Sequence, residues 1–550
     1  MQMTKTAVSL AVALAVLPKL GHSQSGVQPA DPRSAEYQAK MERMAKALGT
    51  GAYEDFAVSG GGQAGDAGPI TYTKFQPPLK LEVPVPTAVK SEGVPPEFDV
   101  EEKPPFTSTV YTLWHALGTQ VHDLGWFGGK PPSFDEISDR VMKQSKSRNY
   151  PARKAGQASL FTDPGFVAEF ESATGSRFQD GNAVRFLIDG EASFAVKDAL
   201  IKNARKNLLI SSWAFYDDTT GYEAAQMLIA KHREGVSVKV MIDGIMSHSH
   251  GPKVVKMMED AGVEVIRHRE KKRSNDIWHV KVIIADDAYA VAGGMNFGDY
   301  YSHKGHSCPK WRDTDVYFSG PAVAEARRML AAEWNAQIDQ QKLKFGKIDL
   351  RDPQAAYEGG AGRVAVVLQN PPETSPILVS IVKAMYAATK TINIENAYFV
   401  ALPVVSQAVL DARARGVEVN IITNSKESID AEGKPIVDAM AKCLVPLLKA
   451  DVNIYLKQGT LETLHSKFIT VDGEFADIGS YNLHPRGERI DTEVNVNILD
   501  RGAVAQLDAA FAADMAKARQ VLSETELQEK PGLMSQIMNE FFYAQLGSYH

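Results

Sequence analysis

Short apolar segments and longer amphipathic segments alternate along the chain from about residue 181 onward. The short segments, such as 208–212 and 236–242, are rich in β-branched residues and are typical of buried strands. Between them, apolar residues recur at helical spacing. This alternation predicts an α/β fold. Its first elements are strands over 184–188, 208–212 and 236–242, with helices that end near residue 204 and span 222–233.

The same order of predicted elements occurs a second time. Strands are predicted over 364–368, 391–394 and 417–422, and helices over 376–389 and 404–415. The local amino-acid sequence also repeats, since Arg233-Glu-Gly-Val236 corresponds to Ala414-Arg-Gly-Val417. An internal duplication is the simplest explanation. It predicts a first domain over 153–350 and a second domain over 351–550 that ends in a helical tail.

The first 24 residues follow a different pattern. Lys5 precedes an apolar run over 7–18 that only Ser9 interrupts, and small and polar residues follow over 21–25. This layout is typical of a secretory signal peptide over 1–24, and the run is too short to span a bilayer. The alternative is a buried amphipathic helix. We therefore expect an exported protein, periplasmic or secreted.

Residues 25–152 form an irregular region rich in proline and glycine before the first domain. Gly60-Gly61-Gly62 and the prolines between residues 77 and 96 do not sustain a helix. Short helices are predicted over 36–48 and from Ser133, which begins a capping box with Glu136, through Met142. Four aromatic and histidine residues of this region are interpreted as packing residues: Trp114, His115, His122 and Trp126.

Composition and charge narrow the classes of function. The chain has 550 residues, 44% hydrophobic and 23% charged, which excludes a mainly disordered protein and a polytopic membrane protein. The formal net charge of −7 provides no global basic field for nucleic acid. Cys308 and Cys443 are too few for a disulfide scaffold or a thiolate zinc cluster. They either pair with each other or remain two free thiols.

Two copies of one motif mark the candidate chemistry. The pattern is H-x-K-x4-D, then six residues, then G-[GS]-x-N. The first copy consists of His279, Lys281, Asp286 and Asn296. The second copy consists of His465, Lys467, Asp472 and Asn482. Every corresponding pair is 186 positions apart, and chance does not explain two copies with the same downstream spacing.

The spacing of each motif has a physical interpretation. Histidine and lysine two positions apart on a strand project to the same face, so an imidazole lies beside an ammonium group. The asparagine after the glycine-containing turn adds an amide donor. Two facing sets can surround one anion with the nucleophile, proton donor and fixed positive charge that phosphoryl transfer needs. Because the lysines supply that charge, the pattern calls for no metal and no cofactor.

Two other clusters have less specific patterns. His248-Ser-His250 has the spacing of a metal-binding pair, but Asp243 is the only acidic residue close by, so we expect no metal site. The basic run over 267–273 precedes His279. It is interpreted as a solvated loop or as a segment that steers an anionic head group towards the site.

The two motifs resemble those of the phospholipase D superfamily, over roughly residues 181–522. The amino-acid sequence near the motifs is similar to that of bacterial cardiolipin synthases. Those proteins usually begin with membrane helices, whereas this chain begins with a segment typical of a signal peptide. Arg486-Gly487 also stands near the place of the family's Arg-Ser pair. The resemblance implies two tandem domains, each a mixed β-sheet flanked by helices. It places them about a pseudo-two-fold axis with the active site between them.

The resemblance also implies a second layer of residues. In the family, a downstream carboxylate hydrogen-bonds the far ring nitrogen of each catalytic histidine and fixes its tautomer. The matched tetrapeptides 313–316 and 491–494 assign this role to Asp315 and Glu493. Ser480 belongs to the same layer and stands where the first copy has Gly294.

The remaining roles follow from the same resemblance and from the motif itself. Asp286 and Asp472 are interpreted as structural residues that end the motif strand. The family favours His279 as the nucleophile that forms a phosphohistidine. His465 then protonates the departing alcohol and deprotonates the acceptor.

The predicted function is an exported phospholipase D or phosphatidyltransferase that acts on phospholipids at a membrane surface. Phosphatidylglycerol as acceptor would give cardiolipin, and water would give phosphatidic acid. We expect a monomer, because both motifs lie in one chain, and no stable nucleic-acid partner. An exported nuclease is the alternative, against which the negative charge counts. A non-catalytic head-group binding protein is the other alternative, against which the two intact motifs count.

Overall fold

The computed structural model describes residues 94–95, 97–98, 132–147, 149–270, 276–305, 309–353, 355, 357–430 and 433–527. The signal peptide, the helix over 36–48, the aromatic and histidine residues between 114 and 126, and Cys308 lie outside these residues. No helix in the described part of the chain has the length and apolar content needed to cross a membrane.

The described residues contain one large mixed sheet of sixteen strands. In chain order the strands are β1 (Gln179–Ile188), β2 (Asn207–Ser212), β3 (Ser237–Asp243), β4 (Glu264–His268), β5 (Ile277–Trp278), β6 (Val282–Ala285), β7 (Tyr289–Gly293), β8 (Thr314–Ser319), β9 (Gly362–Gln369), β10 (Thr391–Asn396), β11 (Glu418–Asn424), β12 (Asn453–Lys457), β13 (Lys467–Val471), β14 (Phe475–Gly479), β15 (Asp491–Leu499) and β16 (Arg519–Gln520).

The strand order repeats outward from the centre of the sheet. β1 and β9 pair antiparallel and join the two halves, which we define as β1–β8 and β9–β16. From β1 the first half runs β8, β7, β6, β2, β3 and β4, and from β9 the second half runs β15, β14, β13, β10, β11 and β12. Both halves combine parallel and antiparallel pairs. This matching order is the tertiary counterpart of the internal duplication.

Helices cover the sheet of each half. Among the described residues they span Phe134–Ser145, Pro164–Thr174, Asp189–Asn203, Thr219–Arg233, Met246–Ser249, Pro252–Asp260, Asp299–Ser302, Pro321–Gln341, Pro376–Ala387, Pro403–Ala414, Val437–Lys449, Arg486–Arg489 and Arg501–Lys517, with 3-10 turns at Lys434–Ile436 and Glu524–Glu526. One apolar core contains β2, β3 and the inner face of Thr219–Arg233, where Leu228 is fully buried. Another contains β10, β11 and the helices Pro376–Ala387 and Pro403–Ala414.

Most predicted elements are confirmed, and the differences have local causes. Ser133 and Glu136 form the predicted capping box, but the helix continues to Ser145 instead of ending at Met142. The helix predicted over 222–233 begins at Thr219, because the Asp218 carboxylate accepts a hydrogen bond from the backbone of its first turn. β1 begins five residues before the predicted start, because its first residues are polar and only pairing with β9 reveals them as strand.

Candidate active site

The two motifs meet where each half reaches across to the other. His279 precedes β6, and its backbone N–H donates to the carbonyl of Thr492 in the second half, at 2.9 Å. His465 precedes β13, and its backbone N–H donates to the carbonyl of Arg312 in the first half, at 2.7 Å. Each motif histidine is therefore positioned by the backbone of the opposite half.

The imidazole rings are held in the same reciprocal way. Nδ1 of His279 lies 2.8 Å from Oε2 of Glu493. Nδ1 of His465 lies 2.7 Å from Oδ2 of Asp313. Both carboxylates are fully buried. With Nδ1 engaged by a carboxylate, Nε2 is the ring nitrogen that can react with a substrate.

The sequence-based assignment of Asp315 as a histidine partner is wrong. Strand pairing places Asp315 opposite Gly293 and Asn495 opposite Gly479, so Asp315 corresponds to Asn495. Asp313 therefore corresponds to Glu493. The alignment of the tetrapeptides had paired Glu493 with Asp315, two residues further along the chain. The side chains agree with this register, because Asp315 accepts from the backbone of Met295 just as Asn495 accepts from that of Tyr481.

Asp315 has a different task in the first half. Its carboxylate forms an ion pair with Lys197 at 2.7 Å, and both side chains are at least 95% buried. Ser193 also donates to this carboxylate. Asp315 thus holds the turn that follows β7 and anchors it to the helix Asp189–Asn203.

The motif lysines lie beside the histidines and are almost completely buried. Nζ of Lys281 donates to the backbone carbonyl of His279 at 2.8 Å. Nζ of Lys467 lies 3.0 Å from Nδ1 of His465 and also donates to the carbonyl of that residue. Burial lowers the pKa of Lys281 to about 7 and that of Lys467 to about 8, against the opposing pull of the nearby carboxylates. A bound phosphate would favour the charged forms of both lysines.

Burial also shifts the other ionisable groups of the site. Burial, reinforced by the positive charges of Lys281 and Lys467, holds the pKa of His279 well below 6.5. Burial raises the pKa of Asp313 to about 6 and that of Glu493 well above its ordinary value. The pKa of His279 responds to Lys467, so the charged groups of the two motifs act on one another within one site.

The two motif asparagines differ in their surroundings. The amide nitrogen of Asn296 donates to Oη of Tyr301 at 3.1 Å, and its oxygen accepts from Ser212 and from the backbone of Ala214. The structure therefore assigns Asn296 to positioning its own loop, whereas the motif pattern predicts an amide donor to the anion. The buried side-chain oxygen of Asn482 has no hydrogen-bond partner among the described residues.

The contacts of the motif aspartates agree with the structural role that the sequence analysis expects for them. Asp286 accepts hydrogen bonds from the backbone of Arg205, Lys206 and Asn207, at the start of β2. Asp472 accepts from the backbone of residues 389, 390 and 391, at the start of β10. Ser480 bonds both backbone groups of Val494, the residue that follows Glu493, and so supports the β15 backbone there.

Aromatic rings enclose the two histidines unequally. His465 is in contact with three rings: Trp311 at 5.4 Å, Tyr301 at 5.1 Å and Tyr398 at 6.4 Å between centroids. His279 has the edge of Trp213 at 6.1 Å. The side chain of His279 is 14% exposed and that of His465 is 6% exposed. His279 is therefore the more accessible of the two.

Sequence reasoning missed His484, a third histidine of this site. It follows Asn482 by two residues and is 8% exposed. Burial, with the positive charges of Arg486 and Lys467, lowers its pKa to about 4 against the Asp491 carboxylate. His484 in turn contributes to the low pKa of His279. Its position two residues after Asn482 is the feature of the sequence that could have identified it as a site residue.

The two less specific clusters have other contacts. His250 packs against Trp213 at 5.1 Å and Tyr216 at 5.1 Å. Arg267 forms an ion pair with Glu259, and residues 271–273 of the basic run lie outside the described residues. Within the described part of the chain, no group of three or more histidine, cysteine, aspartate or glutamate residues is arranged to hold a metal ion.

Comparisons with known proteins place both motifs in one family. Residues 198–304 and 381–515 match the family described as cardiolipin synthase, PLD-like domain. Cardiolipin synthase A of Pseudomonas entomophila (strain L48) is 28% identical over 351 residues, which cover 62% of this chain and 70% of that protein. Cardiolipin synthase A of Pseudomonas fluorescens (strain Pf-5) is 29% identical over 360 residues, 63% of this chain and 71% of that protein.

A solved structure has the same fold. The crystal structure of phosphatidylserine synthase from Haemophilus influenzae matches with a TM-score of 0.56 at 15% sequence identity, and the match covers 69% of this chain and 98% of that one. The matched family segments include His279 and His465, and the strand order of the two halves is the same. The chain is therefore an enzyme of the phospholipase D superfamily.

Proposed function

We propose that this chain is an exported phosphatidyltransferase that cleaves the phosphodiester of a phospholipid through a phosphohistidine. The observation that carries the proposal is the reciprocal arrangement of the motif histidines, each held by a carboxylate of the opposite half beside a buried lysine. The names of the relatives, cardiolipin synthase A and phosphatidylserine synthase, support a phospholipid as the substrate class.

In the first step, Nε2 of His279 attacks the phosphorus of the phospholipid. The new N–P bond forms as the P–O bond to the head-group alcohol breaks, and His465 gives a proton to the departing oxygen. Lys281 and Lys467 hold the non-bridging oxygens and offset the negative charge that develops there. The product is a phosphatidyl group covalently bound to His279 and a free head-group alcohol.

In the second step, His465 takes a proton from the acceptor hydroxyl. The acceptor oxygen attacks phosphorus, the N–P bond breaks, and His279 returns to its starting form. Water as the acceptor gives phosphatidic acid, and the glycerol group of phosphatidylglycerol gives cardiolipin. Both half-sites belong to one chain, so a single copy is sufficient for both steps.

Two features favour His279 as the nucleophile. Its side chain is the more exposed of the two motif histidines, which gives phosphorus access to Nε2. Burial and the neighbouring lysines hold its pKa low, so the ring is unprotonated at neutral pH and has a free lone pair. His465, enclosed by Trp311, Tyr301 and Tyr398, has a fixed orientation that suits proton transfer to one oxygen.

A trapping experiment tests the mechanism. His465→Ala and His279→Ala proteins are incubated with a lipid whose phosphate is radiolabelled and whose head group, p-nitrophenol, leaves without a proton donor. We expect His465→Ala to accumulate label on His279 and His279→Ala to accumulate none. Label on His465 in the His279→Ala protein would reverse the assignment. Label on neither histidine under any quench would contradict the covalent mechanism.

Product analysis tests the reaction class. Purified protein is incubated with mixed phospholipid vesicles, and the products are identified by mass spectrometry. Cardiolipin or another new phosphodiester supports transfer, and phosphatidic acid alone would reduce the proposal to hydrolysis. Fragmentation of DNA in a parallel assay, with no turnover of lipid, would replace the proposal by a nuclease.

Export is the remaining part of the proposal and has its own test. N-terminal sequencing of protein recovered from the envelope or the medium should find cleavage between Ser23 and Gly26. Protein that keeps Met1 and stays in the cytoplasm would contradict it.

A further inference from the structure

His484 gives the second half of the site a side chain that the first half does not have. The corresponding position, 186 residues earlier, is Gly298. A Cβ atom at Gly298 would lie 2.8 Å from the ring of Tyr216, so that ring occupies the space in the first half. The two half-sites therefore differ at this point in shape and in chemistry.

The ring of His484 is buried and incompletely satisfied. Its backbone N–H donates to the carbonyl of Asn482 at 2.7 Å, which fixes it next to the second motif. Its Nδ1 atom is buried and has no hydrogen-bond partner among the described residues. A buried nitrogen without a partner is costly, and a ligand that hydrogen-bonds to Nδ1 would remove that cost.

The position of the ring connects it to the proton-transferring histidine. The ring of Tyr398 lies 6.2 Å from that of His484 and 6.4 Å from that of His465, between centroids. The charges that act on His484 are those of the Arg486–Asp491 ion pair and of Lys467. His484 and His465 therefore both pack near the ring of Tyr398, and His484 is close enough to His279 to affect the pKa of that residue.

The charge state of His484 selects the kind of ligand. Burial lowers its pKa to about 4, so the ring is neutral at the pH of most reactions. A neutral imidazole forms a hydrogen bond with a hydroxyl group but adds no positive charge for a phosphate, which the two lysines already provide. The chemistry of this position fits an alcohol.

We propose that His484 is a specificity-determining residue that binds a second hydroxyl group of a polyol acceptor while His465 activates the first. The inference rests on the proposed function and names the acceptor class of the same site. A glycerol-type acceptor would be held at two points, whereas a simple alcohol or water would be held only at His465.

The test compares glycerol with 1-propanol as acceptors, using vesicles of phosphatidyl-p-nitrophenol and the full chain. Nitrophenol release reports the first step, and the ratio of the two phosphatidyl products reports acceptor choice. The variants are His484→Gly, which copies the first half, and His484→Asn, which retains a hydrogen-bonding group. His232→Asn, on the helix Thr219–Arg233, is the control, and thermal unfolding of each variant checks the fold.

Because His484 also contributes to the low pKa of His279, the first-step rate is measured apart from acceptor choice in His484→Gly. The glycerol-to-propanol product ratio of this variant should fall by roughly 3- to 10-fold, the value of one hydrogen bond. His484→Asn should recover part of the ratio, and His232→Asn should keep the wild-type ratio. An unchanged ratio in folded His484→Gly protein would overturn this inference alone. A wild-type protein that releases no nitrophenol would overturn the proposed function and this inference with it.

Discussion

The pairing of Asp313 with His465 provides a sharp test of the site, through the substitution Asp313→Asn. Oδ1 of Asp313 accepts a hydrogen bond from the backbone N–H of Thr314 at 2.7 Å. An asparagine would keep its oxygen in that bond and turn its NH2 group towards Nδ1 of His465. Nδ1 would then have to accept a hydrogen bond, so the neutral ring would carry its proton on Nε2. That tautomer cannot take a proton from the acceptor alcohol.

The expected loss in kcat of Asp313→Asn follows from the type of hydrogen bond that is lost. A hydrogen bond to a charged group contributes about 1.5–3 kcal/mol. One factor of ten in rate corresponds to about 1.4 kcal/mol, so the loss in kcat is expected to be about 10- to 150-fold. Because the substitution is isosteric and the Thr314 bond remains, the free energy of unfolding should change by less than about 1 kcal/mol.

Asp315→Asn is the matched control, two residues further along the chain, in β8. It removes the partner of Lys197, whose side chain is 5% exposed, and leaves a buried charge unpaired. Breaking a buried ion pair in this way costs about 3–5 kcal/mol. We therefore expect Asp315→Asn to lower the free energy of unfolding strongly, with a smaller effect on kcat per folded molecule.

The assay combines turnover of a nitrophenyl phospholipid, measured as kcat, with urea unfolding of the same preparations. Glu493→Gln tests the other reciprocal pair and should lower the rate at which label is transferred to His279. Asp313→Asn protein with wild-type kcat, together with Asp315→Asn protein that is inactive but fully stable, would refute the strand register on which the reasoning depends.

Three further predictions concern charge and stability. Because the pKa of Lys281 is about 7, its charge is lost as pH rises through that value, so affinity for inorganic phosphate should fall between about pH 6 and pH 8.5. Calorimetry in two buffers should detect proton uptake on binding at pH 8, and a pH-independent affinity would contradict this. Arg312→Met removes the guanidinium that lies 2.7 Å from the Asp514 carboxylate and should cost about 3–5 kcal/mol in urea unfolding, whereas a loss below about 1 kcal/mol would show that this buried pair adds little to stability. Asp286→Ala removes an acceptor of three backbone hydrogen bonds and should cost about 1–3 kcal/mol while kcat per folded molecule stays unchanged. A large fall in kcat at unchanged stability would instead make this aspartate part of the chemistry.

Local patterns in the sequence were sufficient for the elements and for the motifs. Strands such as β2 and β3 can be predicted from the sequence, because strands that are buried on both faces have continuous runs of β-branched residues. The motif copies 186 residues apart were equally visible, because a repeated spacing needs no knowledge of the fold. The polar start of β1 was not visible, since only its pairing with β9 makes it a strand.

The tertiary structure decided which side chains complete the site. In a sequence alignment, Asp315 and Glu493 correspond, because each is the third residue of a D-T-[DE]-V tetrapeptide. The pairing of β8 with β7 and of β15 with β14 shifts this correspondence by two residues and gives the role to Asp313. His484 likewise became part of the site only when the chain folded. The sequence by itself determined the chemistry of each motif, because that depends on residues a few positions apart. The hydrogen bonds that make the two motifs one site join residues 152 and 214 positions apart, and only strand register and the packing of one half on the other bring such residues together.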